Sequence, residues 1–448
     1  MSPPRSPQSG SSRDRSSVSR LLPSLHLLAL SSLAFAQPIL DLLRRQPEFF
    51  VARGLEGMQI VLLLAGLLLV VPLPILLLDA AAALAGRVVQ RWVHRVLVAG
   101  LVMLIVAPFV RGLPVLGSSV WALLLGAVIG LLLTWAFEKL APARLFLDYV
   151  SVAPVIVLGL FLGNPQIAGL VFGGSPDAAN TLRPGGEGES RVVVLVLDEL
   201  AVSGLLSAPG QINRHRYPHL ARLASESTWF ENAMAASPQT VWSVPAMLTG
   251  VFPSPGRLAS FRDHPVNLFT YFGGDHEIWA REVATRLCPR GLNRRFEEAG
   301  RPERGLGLVF SDLRVVYGHL VLPASLADRL PAVTAGWQGF AGGGQVPGAQ
   351  KGGRKRRSAR SETLPGVSEF RRFLGALSAD SDRSLHYMHV MLPHQPWVLL
   401  PSGREYRGDA HRMPGKSAPG KWGQEAWHIT QAYQRYLLQP AVHRPSGR

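Results

Sequence analysis

Long uncharged apolar runs crowd the first 175 residues and are nearly missing from the rest, and this asymmetry constrains the fold more than any other feature. Crossing a bilayer's hydrocarbon core of about 30 Å takes roughly 20 helical residues. Five segments qualify: around Leu21–Leu43, Gln59–Leu78, Val96–Val110, Val120–Phe137 and Val150–Phe172. The third is short, and His26, Gln37 and Pro38 interrupt the first. Hydrophobic residues make up 47% of the 448 and charged ones 17%. The two classes are segregated, so the chain reads as a membrane part followed by a soluble part.

Basic residues set the expected orientation. Arg5, Arg13, Arg15 and Arg20 precede the first span, Arg87, Arg91 and Arg95 lie between the second and third, and Lys139 and Arg144 between the fourth and fifth. These flanks share one side and outnumber Arg44, Arg45, Arg53 and Arg111 on the other, which puts them in the cytoplasm. The expected organisation is a cytoplasmic basic leader over 1–20, a transmembrane region of about five helices over 21–172, a linker over 173–190 and an extracytoplasmic domain from 191. A competing reading takes Arg20, the first apolar run and Ala34-Phe-Ala36 as a cleavable signal peptide. It leaves the later domain on the same outer side.

The formal net charge is +16, concentrated partly in the leader and in Lys351-Gly-Gly-Arg-Lys-Arg-Arg357. No nucleic-acid motif accompanies these residues, and basic segments near spans set topology or touch anionic head groups. Membrane lipids are therefore the expected partners, and nucleic acid is not. Cys288 is the single cysteine, which excludes an intrachain disulfide and four-ligand zinc sites built on cysteine.

In the soluble part, Arg191-Val-Val-Val-Leu-Val-Leu197 is a continuous apolar run ending in Asp198-Glu199. Such a run is expected of a strand buried on both faces of a mainly parallel sheet, and open α/β sheets bind ligands beyond the carboxyl ends of their strands. The two acids either hold a cation there or cap the next helix. Helical spacing over Tyr217–Ser227 puts Leu220, Leu223 and Ala224 on one face, and Thr228–Ala233 reads as a short strand. In Thr240-Val-Trp-Ser-Val-Pro-Ala-Met-Leu-Thr-Gly250, Ser243 is the expected N-cap and Pro245 fits the first turn. Thr240 then lies just ahead of a helix N-terminus, whose roughly half positive charge and unpaired N–H groups suit a phosphate or sulfate oxyanion. It is either a nucleophile or a turn residue.

Taken together, the strand ending in Asp198-Glu199, the Pro218-His-Leu-Ala-Arg-Leu-Ala224 helix, Phe230-Glu-Asn-Ala233, and Thr240 with Thr249-Gly250 resemble the sulfatase branch of the alkaline phosphatase superfamily. Sulfatases place at the Thr240 position a cysteine matured to formylglycine, followed by x-Pro-Ser-Arg; here Val241-Trp-Ser-Val244 follow instead. The pattern Thr-x-x-Ser-Val-Pro-x-Met is similar to the nucleophile segment of membrane phosphoethanolamine transferases. Those enzymes, like the lipoteichoic acid synthases, have five spans and an external catalytic domain.

The resemblance implies a sulfatase-like α/β domain over 191–439, with a mainly parallel central sheet and a low-complexity insert over 341–361. It implies a divalent metal ion (zinc, manganese, calcium or magnesium) on Asp198, Glu199 and Thr240, with Thr240 as the nucleophile. His394, in Leu392-Pro-His-Gln-Pro-Trp397, is implied to face the substrate. The implied activity is hydrolysis or transfer of a sulfate or phosphate ester at the outer face of the inner membrane. A phosphoethanolamine- or phosphoglycerol-type transferase acting on envelope lipids or glycans is the alternative.

The family closes its metal site with a later Asp-His or Asp-Asn pair, and none follows His394. Asp263-His264 and Asp275-His276 come too early and read as loop residues. A helix is expected over Val367–Leu377 and a strand over Leu385–Met391. His386 and His389 on that strand are an odd number of positions apart, face opposite sides and are given no role. Gln424–Gln439 reads as a helix and 440–448 as an aberrant tail, so a chain truncated after about Gln439 is expected. A catalytically dead membrane protein is a further reading.

Overall fold

The computed structural model describes residues 22–113, 119–174, 176–183, 191–293, 305–327, 329–331, 333, 365–379 and 383–391. Two compact units share the chain. Met1–Gly173, Glu303–Val333 and Gln338–Gly344 form the first; Gly174–Pro302, Thr334–Trp337 and Gln345–Arg448 form the second. The stretch 191–439, expected as one domain, thus lends a segment to the first unit.

The first unit is helical. α1 (Leu22–Arg45) is followed by the short α2 (Glu48–Arg53), then α3 (Met58–Leu84), α4 (Arg87–Arg111) and α5 (Trp121–Lys139). All but α2 are long and apolar enough to cross a membrane. α6 (Ala141–Val150) and α7 (Ala153–Leu162), bent by 41°, make a fifth candidate if read as one span. The expected span Val150–Phe172 is broken, because the Asn164 side chain accepts from the N–H groups of Gln166 at 2.9 Å and Ile167 at 3.3 Å. With Pro165 in the first turn, that cap starts a new helix, α8 (Pro165–Phe172). Arg87, Arg91 and Arg95 belong to α4 and not to a loop, so the third candidate span has 25 residues and is not short.

Pro38 leaves its mark on α1. The helix widens into a π-helical turn over Ser32–Ala36 just before Gln37-Pro38, where proline has no N–H for the Ala34 carbonyl four residues back. The Tyr317 hydroxyl donates to that carbonyl at 3.0 Å. Tyr317 lies on the Leu306–Val321 helix, which packs within this unit through a buried Arg53–Asp312 ion pair as well. Small residues let α4 and α5 approach: a Cβ on Gly130 would lie 2.5 Å from the Ala99 carbonyl oxygen. Close backbone packing of this kind matters in a bilayer, where lipid tails are as apolar as leucine. Within the apolar helices Arg95 pairs with Glu138 at 2.5 Å and Asp79 with His94 at 3.1 Å.

The second unit is built on a small parallel sheet in the order β1 (Val192–Leu197), β3 (Ser384–Val390), β2 (Glu277–Arg281). β3 is buried along its whole length and pairs in register with both neighbours, Val196 opposite His389 and Trp279 opposite His386. One face packs Leu385 and Tyr387 against Val244, Leu248 and Phe269. The Phe269 and Tyr387 rings meet edge-on at 5.2 Å, a geometry that adds about 0.5–1.5 kcal/mol beyond burial. The other face sets Trp279, Met388 and Val390 on Phe373, which comes from α11 (Pro365–Ala379), where a helix was expected.

Two expectations fail here. Among the described residues β1 is an edge strand with Val193 and Leu195 exposed, so it is not buried on both faces. Thr228–Ala233 pairs with no strand among the described residues, and Phe230 is exposed. The helix expected over Tyr217–Ser227 forms as α9 (Pro218–Glu226), with Ala221 buried and Leu223 exposed.

Candidate active site at the carboxyl ends of the strands

Asp198 follows the last residue of β1, and its N–H donates to the Val390 carbonyl at 3.0 Å. The parallel ladder thus runs one residue beyond the strand and fixes the Asp198 backbone against β3. Glu199 then turns the chain with φ 59°, the one non-glycine residue with positive φ among the described residues. That left-handed conformation costs about 1–2 kcal/mol for a side-chain-bearing residue, and such strain clusters at functional sites. The helical turn Val202–Leu205 begins at Ala201 with no side-chain cap. Neither acid is therefore its N-cap, which closes one of the two readings the sequence left open.

Thr240 is the first residue of α10 (Thr240–Thr249), whose N-cap is Gln239. The expected Ser243 cap is thus a correction: the helix starts four residues earlier, because extended Gln239 (φ −101°, ψ 127°) offers its carbonyl to the N–H groups of Trp242 at 3.0 Å and Ser243 at 2.9 Å. The N–H groups of Thr240 and Val241 stay outside the helix's own bonding. The Thr249-Gly250 pair ends the same helix, Gly250 in the left-handed region with φ 70° and the Thr249 hydroxyl accepting from Val251 N–H at 3.2 Å. Its spacing from Thr240 is one helix length.

These elements bring Thr240 onto Asp198. Thr240 Oγ1 donates to Asp198 Oδ1 at 3.3 Å, across 42 residues of sequence. On the other side of the carboxylate, His389 Nε2 stands 3.7 Å from Asp198 Oδ2. The parity that sets His386 and His389 on opposite faces is seen in the strand: His386 is stacked on Trp279 at 6.2 Å and paired with Ser384 Oγ at 3.2 Å, away from Asp198. What the sequence lacked was the pairing of β1 with β3, which decides which histidine meets Asp198.

Tyr387, two residues before His389 and so on its face, has a buried hydroxyl with no hydrogen bond among the described residues. Burial, and then the negative charges of Glu282 and Asp198, push its pKa well above the ordinary tyrosine value. Glu282 follows β2 and is buried as a carboxylate that accepts from Thr285 Oγ1 at 2.8 Å, Leu287 N–H at 2.7 Å and Cys288 N–H at 3.0 Å. All three strands therefore deliver polar groups at their carboxyl ends, as open parallel sheets do.

His394 lies outside the described residues. Asp263-His264 and Asp275-His276 sit in turns, as expected. Asp263 accepts from Leu258 N–H at 2.7 Å, and burial, then Arg257, holds the His264 pKa down against Asp263. Asp275 pairs with its neighbour His276 at 2.7 Å.

The divalent ion implied by the resemblance needs four or more donors. Among the described residues no three His, Cys, Asp or Glu side chains converge, and Asp198 with Thr240 offers a carboxylate and one hydroxyl. The described donors alone do not fit such an ion. Compared with family models, with characterised proteins and with solved structures, the chain gives no match.

Proposed function

We propose that the chain is a membrane-anchored enzyme with a sulfatase-like domain that cleaves or transfers a phosphate or sulfate ester through Thr240. The observation that carries this reading is the hydrogen bond from Thr240 Oγ1 to Asp198 Oδ1 at 3.3 Å, made where a helix N-terminus meets the end of a parallel strand. A hydroxyl nucleophile needs a base within reach, and the ester needs its oxyanion held. Asp198 answers the first need, and the N–H groups of Thr240 and Val241 answer the second.

In this reading Oγ1 bonds to phosphorus or sulfur as its proton passes to Asp198, and the ester bond breaks with its electron pair on the leaving oxygen. His394, which the resemblance implies faces the substrate, would supply that oxygen's proton. An acceptor then attacks the threonine ester, gives its own proton back to His394, and frees Thr240, which recovers its proton from Asp198. Water as acceptor makes a hydrolase; a lipid or glycan hydroxyl makes a phosphoethanolamine- or phosphoglycerol-type transferase. On the charge asymmetry of the flanks, the reaction takes place on the extracytoplasmic side of the inner membrane.

The test uses full-length protein in detergent with aryl phosphate and aryl sulfate esters. Thr240→Ala is expected to lose more than about 10²-fold in turnover, and Thr240→Ser to keep a measurable part. Wild-type turnover by Thr240→Ala would refute the assignment. If no version turned over any ester, the dead membrane protein would be the better reading.

A further inference from the structure

We infer that His389 is a positioning residue for Asp198, holding the carboxylate that faces Thr240; this rests on the reading of Thr240 as the attacking group. Three observations meet on His389. Val196 pairs with His389 and Leu197 with Val390, and the Asp198 N–H extends that ladder. Asp198, two residues after Val196, therefore projects over the side of the sheet on which His389 lies. The two carboxylate oxygens divide their neighbours, Oδ1 accepting from Thr240 and Oδ2 standing 3.7 Å from His389 Nε2. The His389 side chain is shut off from solvent, and neither ring nitrogen has a hydrogen bond among the described residues.

A buried polar group left unmet is unfavourable, and Asp198 Oδ2 is an acceptor 3.7 Å from Nε2. A closure of about 0.8 Å brings Nε2–H to hydrogen-bond distance. Tied at Oδ2, the carboxylate cannot swing Oδ1 away from Thr240, and its plane is set for proton transfer. His389 is itself too buried to touch an ester. Its effect falls on the chemical step and not on substrate binding.

Full-length protein in detergent tests this in two arms. In the kinetic arm His389→Ala lowers kcat by about 10–100-fold, the range for residues that orient a reacting group, with KM within about two-fold. His389→Gln keeps a side-chain N–H that can reach Oδ2 and recovers at least about a third of the wild-type kcat. Equal loss in both variants, each folded, or a loss confined to KM, would overturn the inference. The second arm reads melting temperature in Asp198→Ala, His389→Ala and the double variant. A paired carboxylate and imidazole give non-additive losses, the double melting within about 1 °C of the less stable single. Additive losses would overturn the pairing. Coupled melting in a protein that turns over no ester would refute the Thr240 reading while supporting the His389–Asp198 pair.

Discussion

Replacing Asp312 with alanine should destabilise the helical unit by about 3–5 kcal/mol, the cost of removing one partner from a buried ion pair. Arg53 is the last residue of α2, and its Nη2 donates to Asp312 Oδ2. The two side chains are 2% and 4% exposed. The Phe49 ring lies 5.6 Å from the guanidinium, a contact of about 0.5–2 kcal/mol that cannot replace a carboxylate. Arginine does not shed its proton at working pH, so Asp312→Ala leaves a buried cation without the carboxylate it pairs with in the structure. Arg53→Met removes the other partner and should also destabilise the unit. Changing both, Arg53→Met with Asp312→Leu, removes both desolvation penalties and should fall within about 1 kcal/mol of wild type or above it. Unfolding in graded SDS, followed by circular dichroism in one detergent, measures all three. An Asp312→Ala variant within about 1 kcal/mol of wild type, or a double variant as unstable as that single, would refute the reasoning.

Two further outcomes follow from the packing. Gly130→Ala puts a Cβ 2.5 Å from the Ala99 carbonyl oxygen and 3.4 Å from Met103 N; backbone atoms cannot rotate aside, so α4 and α5 must part, costing about 1–3 kcal/mol in the same SDS titration. Unchanged unfolding would show that the helices do not meet there. Tyr387→Phe removes a buried hydroxyl that has no hydrogen bond among the described residues, so stability should stay level or rise by about 1 kcal/mol. A clear loss would mean the hydroxyl has a partner. The same residue sets a pH dependence: the folded state holds the Tyr387 proton more tightly than the unfolded chain, so its contribution is full below the ordinary value of 10.0 and is lost as pH rises above it. Tyr387→Phe should flatten that alkaline fall, as melting temperatures between pH 9 and 11 would show.

Features governed by local periodicity were legible in the sequence. The apolar runs, the Val367–Leu377 helical pattern and the strand through Leu385 all emerge close to their expected places, because burial and helical or strand repeat leave a direct trace in residue spacing. Boundaries set by a single cap were harder to read. Asn164-Pro165 breaks the expected fifth span, and Gln239 starts a helix without the side-chain oxygen that marks most N-caps. Long-range pairing left least trace. Asp198 and Thr240 were singled out from the strand end and the helix start, but the hydrogen bond between them required the fold. His389 joined them only through the register of β1 on β3, which no residue pattern in either strand encodes. The Leu306–Val321 helix is a similar case: Asp312 and Arg53 are 259 residues apart, and nothing near either one names its partner.

If Thr240 attacks the ester, the transferred group must rest on its oxygen between the two half-reactions. Acid-quenching full-length protein during turnover of a phosphate or sulfate ester, and mapping its peptides by mass spectrometry, reads that directly. The added mass should fall on the peptide containing Thr240 and should be missing from Thr240→Ala. The same mass on another residue, or an undiminished rate and adduct in Thr240→Ala, would contradict a threonine nucleophile paired with Asp198.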